Sequence, residues 1–400
     1  MTRFLKRLPV PVSGLILGLA ALGNLLGVYH PLLRVIPAGL SGLLLVLLLL
    51  KVLASPGVIR ESLAAPVTAG ALQTLPMAMV LLAGHLKPLA PGPSQVLWAL
   101  GLLLCALLVL VFTLRHAVPL RMEKVFPTWF VLYVGIVVGS VTGPAFGLSG
   151  VGQMLFWSGL VVYLPLIPLV TWRVLKVGGI PAPAAPTLAI YAAPASLLLA
   201  GYLNAFPEKN VALVVFLMVL ALGMTLFALS RMPALLRQGF TPAVSSYTFP
   251  FVISAIALRG SQNFLLQAGY PAGFLAPVVW LEILWAVAMV LYVAYGYLKN
   301  VLYPAPAPGP GAQAARAVQY GLVLPSQPLV SQWLRSVRFQ VFFFIMARMR
   351  RNRKVRYRSP GFQGFFSCSC RMIPASFRAR RRIFSRAFSG ASSQREAATA

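Results

Sequence analysis

The 400 residues are 59% hydrophobic and only 10% charged, with a mean hydropathy of +0.84, a composition that belongs to chains embedded in lipid and not to soluble domains. Five glutamates (Glu61, Glu123, Glu208, Glu282 and Glu396) and no aspartate stand against 34 Lys and Arg, for a formal charge of +29. So few carboxylates exclude chemistry that needs paired acids, and three cysteines, Cys105, Cys368 and Cys370, exclude a disulfide framework or a zinc site.

From the N-terminus, Arg3, Lys6 and Arg7 precede an apolar run that continues past Tyr29 and is followed by others, so it reads as a retained first helix and not as a cleaved signal. A helix needs roughly 20 apolar residues to cross about 30 Å of hydrocarbon. Ten runs meet that need, at residues 10–29, 35–53, 66–86, 94–114, 126–144, 150–172, 185–204, 210–230, 243–262 and 272–298. They are continuous, not alternating, which predicts helices and disfavours a barrel. The expected fold class is an all-α membrane protein of ten transmembrane helices.

Taken in order, the odd-numbered spans are interrupted. Span one carries Gly14, Gly18, Gly23 and Gly27; span three, Pro76; span five, Gly135, Gly139 and Gly143; span seven, Pro194; span nine, Pro250. A mid-span proline removes a backbone bond and kinks the helix, a defect best tolerated beside protein or a water-filled cavity. Glycines at this spacing either let helices approach closely or leave a pore wall bare. Spans four and eight hold no proline, and the even spans read as smoother and Leu-rich. The alternation predicts five helical hairpins in a quasi-fivefold bundle, with odd spans lining a central pore.

Charge at the span ends sets orientation. With the N-terminus inside, thirteen basic residues fall in the cytoplasm, against Arg34, Lys87, Lys209 and Arg259 outside. Both termini are therefore expected to be cytoplasmic, in a multi-pass protein of the cell inner (plasma) membrane. Residues 1–303 form the expected transmembrane domain. Pro304, Pro306, Pro308 and Pro310 open a linker, and an Arg- and Ser-rich sequence continues to Ala400. Residues 304–400 read as a disordered cytoplasmic tail; its functional reading is a basic segment drawn to anionic lipid or RNA, and no nucleic-acid partner is expected.

Several segments are similar to a known family. Pro9-Val10-Pro11 opens the run Ser13-Gly14-Leu15-Ile16-Leu17-Gly18, Phe126-Pro127-Thr128-Trp129-Phe130 opens span five, and Ala192-Ala193-Pro194-Ala195-Ser196 and Tyr247-Thr248-Phe249-Pro250 lie in spans seven and nine. Their order and spacing resemble the tellurite-resistance/dicarboxylate transporter family, which includes the bacterial tellurite-resistance channel, the yeast malate transporter and the plant slow anion channels. The resemblance covers roughly residues 9–300 and implies anion conduction, often in a homotrimer. It also implies a pore closed by an aromatic of span nine, here Phe249, with Phe251 as the substitute.

The charges agree with anions: one acid, Glu282, lies within a span, and no acidic ring is present to attract cations. The pore-lining candidates are the kinks Pro76, Pro194 and Pro250 and the small or polar residues Gly14, Gly18, Gly135, Gly139, Ser196 and Thr248. Glu282 reads either as a proton-coupling carboxylate or as an edge or subunit-contact residue, and its even span favours the second. The expected function is passage of small inorganic or carboxylate anions: C4-dicarboxylates, tellurite- or sulfite-like oxyanions, halide or nitrate. The alternatives are a proton-coupled dicarboxylate transporter and, further off, an intramembrane lipid-modifying enzyme using His116. Membrane lipids are the other expected partners; no catalytic residue, cofactor or metal is expected.

Overall fold

Apolar runs of this length fold as helices because lipid offers no partner to a free peptide group. The computed structural model describes residues 8–118, 120–177 and 180–302, and they hold helices and no strand. The linker and basic tail expected over residues 304–400 lie outside the described residues. In chain order the long stretches are α1 (Val12–Leu26), α2 (Pro31–Ala54), α3 (Pro66–Leu86), α4 (Pro91–Ala117), α5 (Thr128–Phe146) and α6 (Ser149–Lys176). They continue with α7 (Ala182–Ala205), α8 (Val211–Leu236), α9 (Phe249–Gln267) and α10 (Gly273–Leu302). Eight of these are long and apolar enough to cross a bilayer, so the chain is a multi-pass membrane protein. The other two are α1, with 15 residues, and α9, which carries Arg259, Ser261, Gln262 and Asn263 in succession around Gly260.

Burial separates the stretches into two sets. In its most apolar window α7 is 94% buried within the protein, α3 67% and α5 61%, whereas α2 and α4 are 22% and α6, α8 and α10 33%. All of α1 except Asn24 and Leu26 is buried as well. The odd stretches are interior, while the even ones turn side chains such as Leu103, Leu110, Val219, Leu226, Leu281 and Leu291 outward. In the chain's own solvent that exposure costs nothing, because lipid tails are as apolar as leucine.

Backbone breaks are concentrated in α3, α5, α7 and the lead-in to α9, although α1 is continuous and α10 also opens with a 3-10 turn, Gly273–Leu275. α3 stops at Ala71 and resumes at Thr74, and α5 passes through 3-10 turns at Gly135–Val137 and Gly143–Phe146. α7 opens with an 11-residue 3-10 run, Ala182–Ala192, and a 3-10 turn at Pro242–Tyr247 leads into α9. Runs of 3-10 helix longer than three or four residues are uncommon and mark strain or function. The prolines do not kink continuous helices here. Pro194 and Pro250 sit at the first or second position of the α-helical segments starting at Ala193 and Phe249, and Pro76 is third in the segment starting at Thr74. First-turn N–H groups have no acceptor within the helix, so a proline there forfeits no bond. Conversely, the even stretch α6 holds Pro165 and Pro168 and remains one 28-residue α-helix. Proline content alone therefore does not divide the two sets; burial does.

The packing partners follow a regular scheme. α1 lies against α3, α3 against α5, α5 against α7, α7 against α9, and α9 against α1. Each even stretch packs on the odd stretch before it and on the next: α2 on α1 and α3, α4 on α3 and α5, α6 on α5 and α7, α8 on α7 and α9, α10 on α9 and α1. Polar side chains pin the interior contacts: Ser13 Oγ and Thr74 Oγ1 are 2.7 Å apart, Thr248 Oγ1 donates to the Gly14 carbonyl at 2.8 Å, and Ser246 Oγ donates to the Pro186 carbonyl at 2.7 Å. Such bonds between membrane helices contribute about 0.6–2 kcal/mol each.

Candidate functional site

Two chambers lie within the interior set. The first, about 250 Å³, is lined by the beginnings of all five odd stretches and their lead-in turns: Pro11 and Gly14, Thr68 and Thr74, Thr128 and Val131, Thr187 and Ile190, then Ser245, Ser246, Phe249 and Pro250. We call it the proximal chamber. Its polar groups are hydroxyls. Most of these are bonded to backbone, as Thr187 Oγ1 is to the Ala184 carbonyl at 2.6 Å, but the buried Thr128 Oγ1 has no hydrogen-bond partner among the described residues. A buried hydroxyl left unbonded costs about 1–3 kcal/mol, and an unlocated water or ion is one of its accepted explanations.

The second, distal chamber, about 300 Å³, is lined by the later halves of the same stretches. Ala21 and Asn24, Leu81 and Gly84, Val138, Val141, Thr142 and Ala145, Leu197 and Asn204, then Phe249, Ile253 and Ile256 contribute, together with Arg34 of α2. Asn204 Nδ2 donates to the Ala200 carbonyl at 2.7 Å, while Thr142 Oγ1 accepts from Trp98 Nε1 at 2.8 Å. Among the described residues no carboxylate lines either chamber, and one cation, Arg34, lines the distal one.

One side chain borders both chambers. Phe249, 4% exposed, is among the described residues the single one common to the two linings, and it opens the α-helical segment of α9 directly after Thr248. The first-turn N–H groups of that segment lie at the same level, and a helix N-terminus favours negative charge. Residues 7–298, which include every residue of both linings, match the voltage-dependent anion channels. The chain belongs to that family. The voltage-dependent anion channel family is the one that contains the tellurite-resistance and dicarboxylate transporters resembled by the sequence, and its members are channels or transporters, not enzymes. Membership makes this protein an anion-transporting membrane protein. No curated protein matches the chain.

Set against the channel family's expected pore, the candidate residues fall in several places. Pro250 and Gly14 line the proximal chamber with Phe249. Pro76 is buried, and its carbonyl approaches Gly101 of α4; Pro194 is buried in α7; neither borders a chamber. Gly18, Gly135 and Gly139 serve close packing: a Cβ at Gly18 would lie 2.5 Å from Thr248 Cβ, one at Gly135 2.6 Å from Met77 Sδ, and one at Gly139 2.6 Å from Leu155 Cδ1. Ser196 Oγ returns to the Ala192 carbonyl of its own helix at 2.7 Å. Thr248 is fully buried and bonded to the Gly14 and Ser245 carbonyls.

Phe251, two residues on and so about 200° around the axis from Phe249, faces away. Its ring meets Trp285 of α10 edge-on at 5.8 Å, beside a cavity of about 530 Å³ among α8, α9 and α10. Glu282 lines that outer cavity, accepting from Ser254 Oγ at 2.9 Å, and Ser254 Oγ lies 2.9 Å from Thr225 Oγ1. None of its lining residues borders either chamber. His116 sits elsewhere, its Nε2 3.0 Å from the Leu63 carbonyl. Arg34, Asn204, Thr128, Thr187 and Ser245 also line the chambers and were not legible as lining residues in the sequence. For the four on odd stretches or their lead-in turns the one signal was position near a span end, and for Arg34, at the start of α2, it was charge; both have meaning only once the five odd stretches are seen to converge.

Proposed function

We propose that the chain conducts small anions along a central conduit formed by α1, α3, α5, α7 and α9, closed at mid-depth by the Phe249 ring. The observation that carries this reading is the sharing of Phe249 alone between the two chambers. The cyclic order of odd-stretch packing and the seating of each even stretch outside two odd ones support a quasi-fivefold arrangement of ten spans. An apolar ring at the narrowest point controls passage by side-chain rotation or dewetting. Hydroxyls, among them the unbonded Thr128 Oγ1, and Arg34 supply donors on either side, and the absence of carboxylates from both linings disfavours cations.

In this reading the proximal chamber opens to the cytoplasm, the protein assembles as a homotrimer in the plasma membrane, and residues 304–400 form a separate cytoplasmic tail. The substrates are halide or nitrate, sulfite- or tellurite-like oxyanions and small carboxylates. The test is flux from proteoliposomes loaded in turn with chloride, nitrate, sulfite, tellurite and malate, using the full chain and a chain ending at 303. Conduction of at least one of these above protein-free vesicles is expected; absence of flux for every anion, in wild type and in Phe249→Ala alike, removes the proposal.

A proton-coupled mechanism would run through Glu282. That carboxyl is separated from both chambers by the thickness of α9, which favours the uncoupled channel. Glu282→Gln is therefore expected to leave anion flux, and its response to an imposed pH gradient, within about twofold of wild type, a change under 0.5 kcal/mol. Loss of gradient-driven uptake in the variant, with downhill exchange retained, would establish coupling instead.

A further inference from the structure

Arg34 has a second neighbourhood. Besides the distal chamber it lines a groove of about 640 Å³ on the outer flank, between α2 and the end of α3, and it is the one residue common to those two linings. No ion pair to Arg34 forms among the described residues, and none of the four described glutamates lines the groove or the chamber. His85, within electrostatic reach of Arg34, adds a second polar group at the same end, its Nε2 held 2.9 Å from the Ala20 carbonyl. From there the groove descends along Ala38, Gly39, Gly42, Leu45 and Val46 and is apolar throughout. A Cβ built at Gly39 or Gly42 meets nothing within 4 Å, so the missing side chains leave open space and not a close helix contact.

The dimensions and charge select an occupant. Twelve residues of helix separate Arg34 from Val46, a rise of about 18 Å, close to the roughly 15 Å depth of one leaflet's hydrocarbon. Arg34 lies in the first turns of α2, where a membrane helix meets the headgroups, and an unpaired guanidinium there matches a phosphate in geometry and sign. We propose that this groove binds an anionic phospholipid, phosphate on Arg34 and one acyl chain along Gly39, Gly42 and Leu45, and that the lipid competes for Arg34 with the anion in the distal chamber.

Binding stands without the conduction reading; the competition rests on it. The two are measured separately. Purified full chain is delipidated and exposed to phosphatidylglycerol, phosphatidylcholine or oleate, and retained lipid is counted by native mass spectrometry. Wild type is expected to favour phosphatidylglycerol over phosphatidylcholine by about fivefold, the scale of one basic residue's attraction to anionic lipid. Gly42→Leu, which fills the groove without touching either chamber, and Arg34→Gln should each abolish the preference. Equal retention by all three proteins, or a stronger preference for oleate, overturns the phospholipid site.

In phosphatidylcholine vesicles with phosphatidylglycerol replacing up to half the lipid, wild-type flux is expected to fall several-fold further than flux through Gly42→Leu. Surface potential acts on both proteins alike and so cancels in that comparison. Identical falls would overturn the competition. Flux absent under every condition, with retention intact, would count against conduction and leave the lipid site standing.

Discussion

Phe249→Ala is expected to raise anion flux by about 10- to 100-fold, which corresponds to removing roughly 1.4–2.7 kcal/mol from the barrier to passage. Among the described residues the ring is the only side chain bordering both chambers, so on the proposed reading its truncation should join the two cavities of about 250 and 300 Å³. Phe251→Ala supplies the comparison. Its ring packs on Trp285 and borders neither chamber, and its loss should lower stability by about 3–5 kcal/mol, as for other buried phenylalanines, while leaving single-protein flux near wild type. Thermal unfolding in detergent and halide flux in vesicles separate the outcomes. Equal flux through wild type and Phe249→Ala, with both proteins folded, would leave the ring without a part in the barrier.

Gly18→Val is expected to be the most damaging small substitution in α1. Its Cβ would fall 2.5 Å from Thr248 Cβ and 3.2 Å from the Phe249 amide nitrogen, atoms fixed by the backbone and unable to swing aside. Relief requires α1 and α9 to part, which breaks the bond from Thr248 to the Gly14 carbonyl and shifts the base of the Phe249 side chain. Overpacking of this kind costs about 1–3 kcal/mol, to which the lost hydrogen bond adds about 1 kcal/mol. The measurement is the melting temperature beside that of Gly223→Val in α8, where the new Cβ meets nothing within 4 Å. A lowering of about 5 °C or more is expected for the first variant and little change for the second. Similar melting temperatures for the two would show that the α1–α9 contact is looser than its geometry implies.

How far the sequence could be read depended on what each feature rests on. Apolar runs and their lengths depend only on the solvent, because a bilayer forces every peptide group into an internal bond, and so the helices and their order were legible. The motifs around Ser13, Phe126, Pro194 and Phe249 carried the family, which the match over residues 7–298 established. Proline was a weaker guide. Pro194 and Pro250 open helical segments where no bond is lost, and Pro165 and Pro168 stand in an unbroken outer helix, so the residue type did not fix the local geometry. Glycine left two readings open in the same way: Gly14 borders the proximal chamber, while Gly18 and Gly139 receive neighbouring helices.

The sequence by itself determined that this chain lives in lipid, folds as helices, draws anions more readily than cations and descends from an anion-conducting family. Those properties are sums over residues or local patterns, and need no knowledge of neighbours. Which of two phenylalanines faces inward, that Glu282 lies outside, and that Arg34 joins a lipid-facing groove to a chamber were decided by tertiary structure alone. A side chain's direction is set by the rotation of its helix against its neighbours, and no spacing along one strand of sequence encodes that rotation.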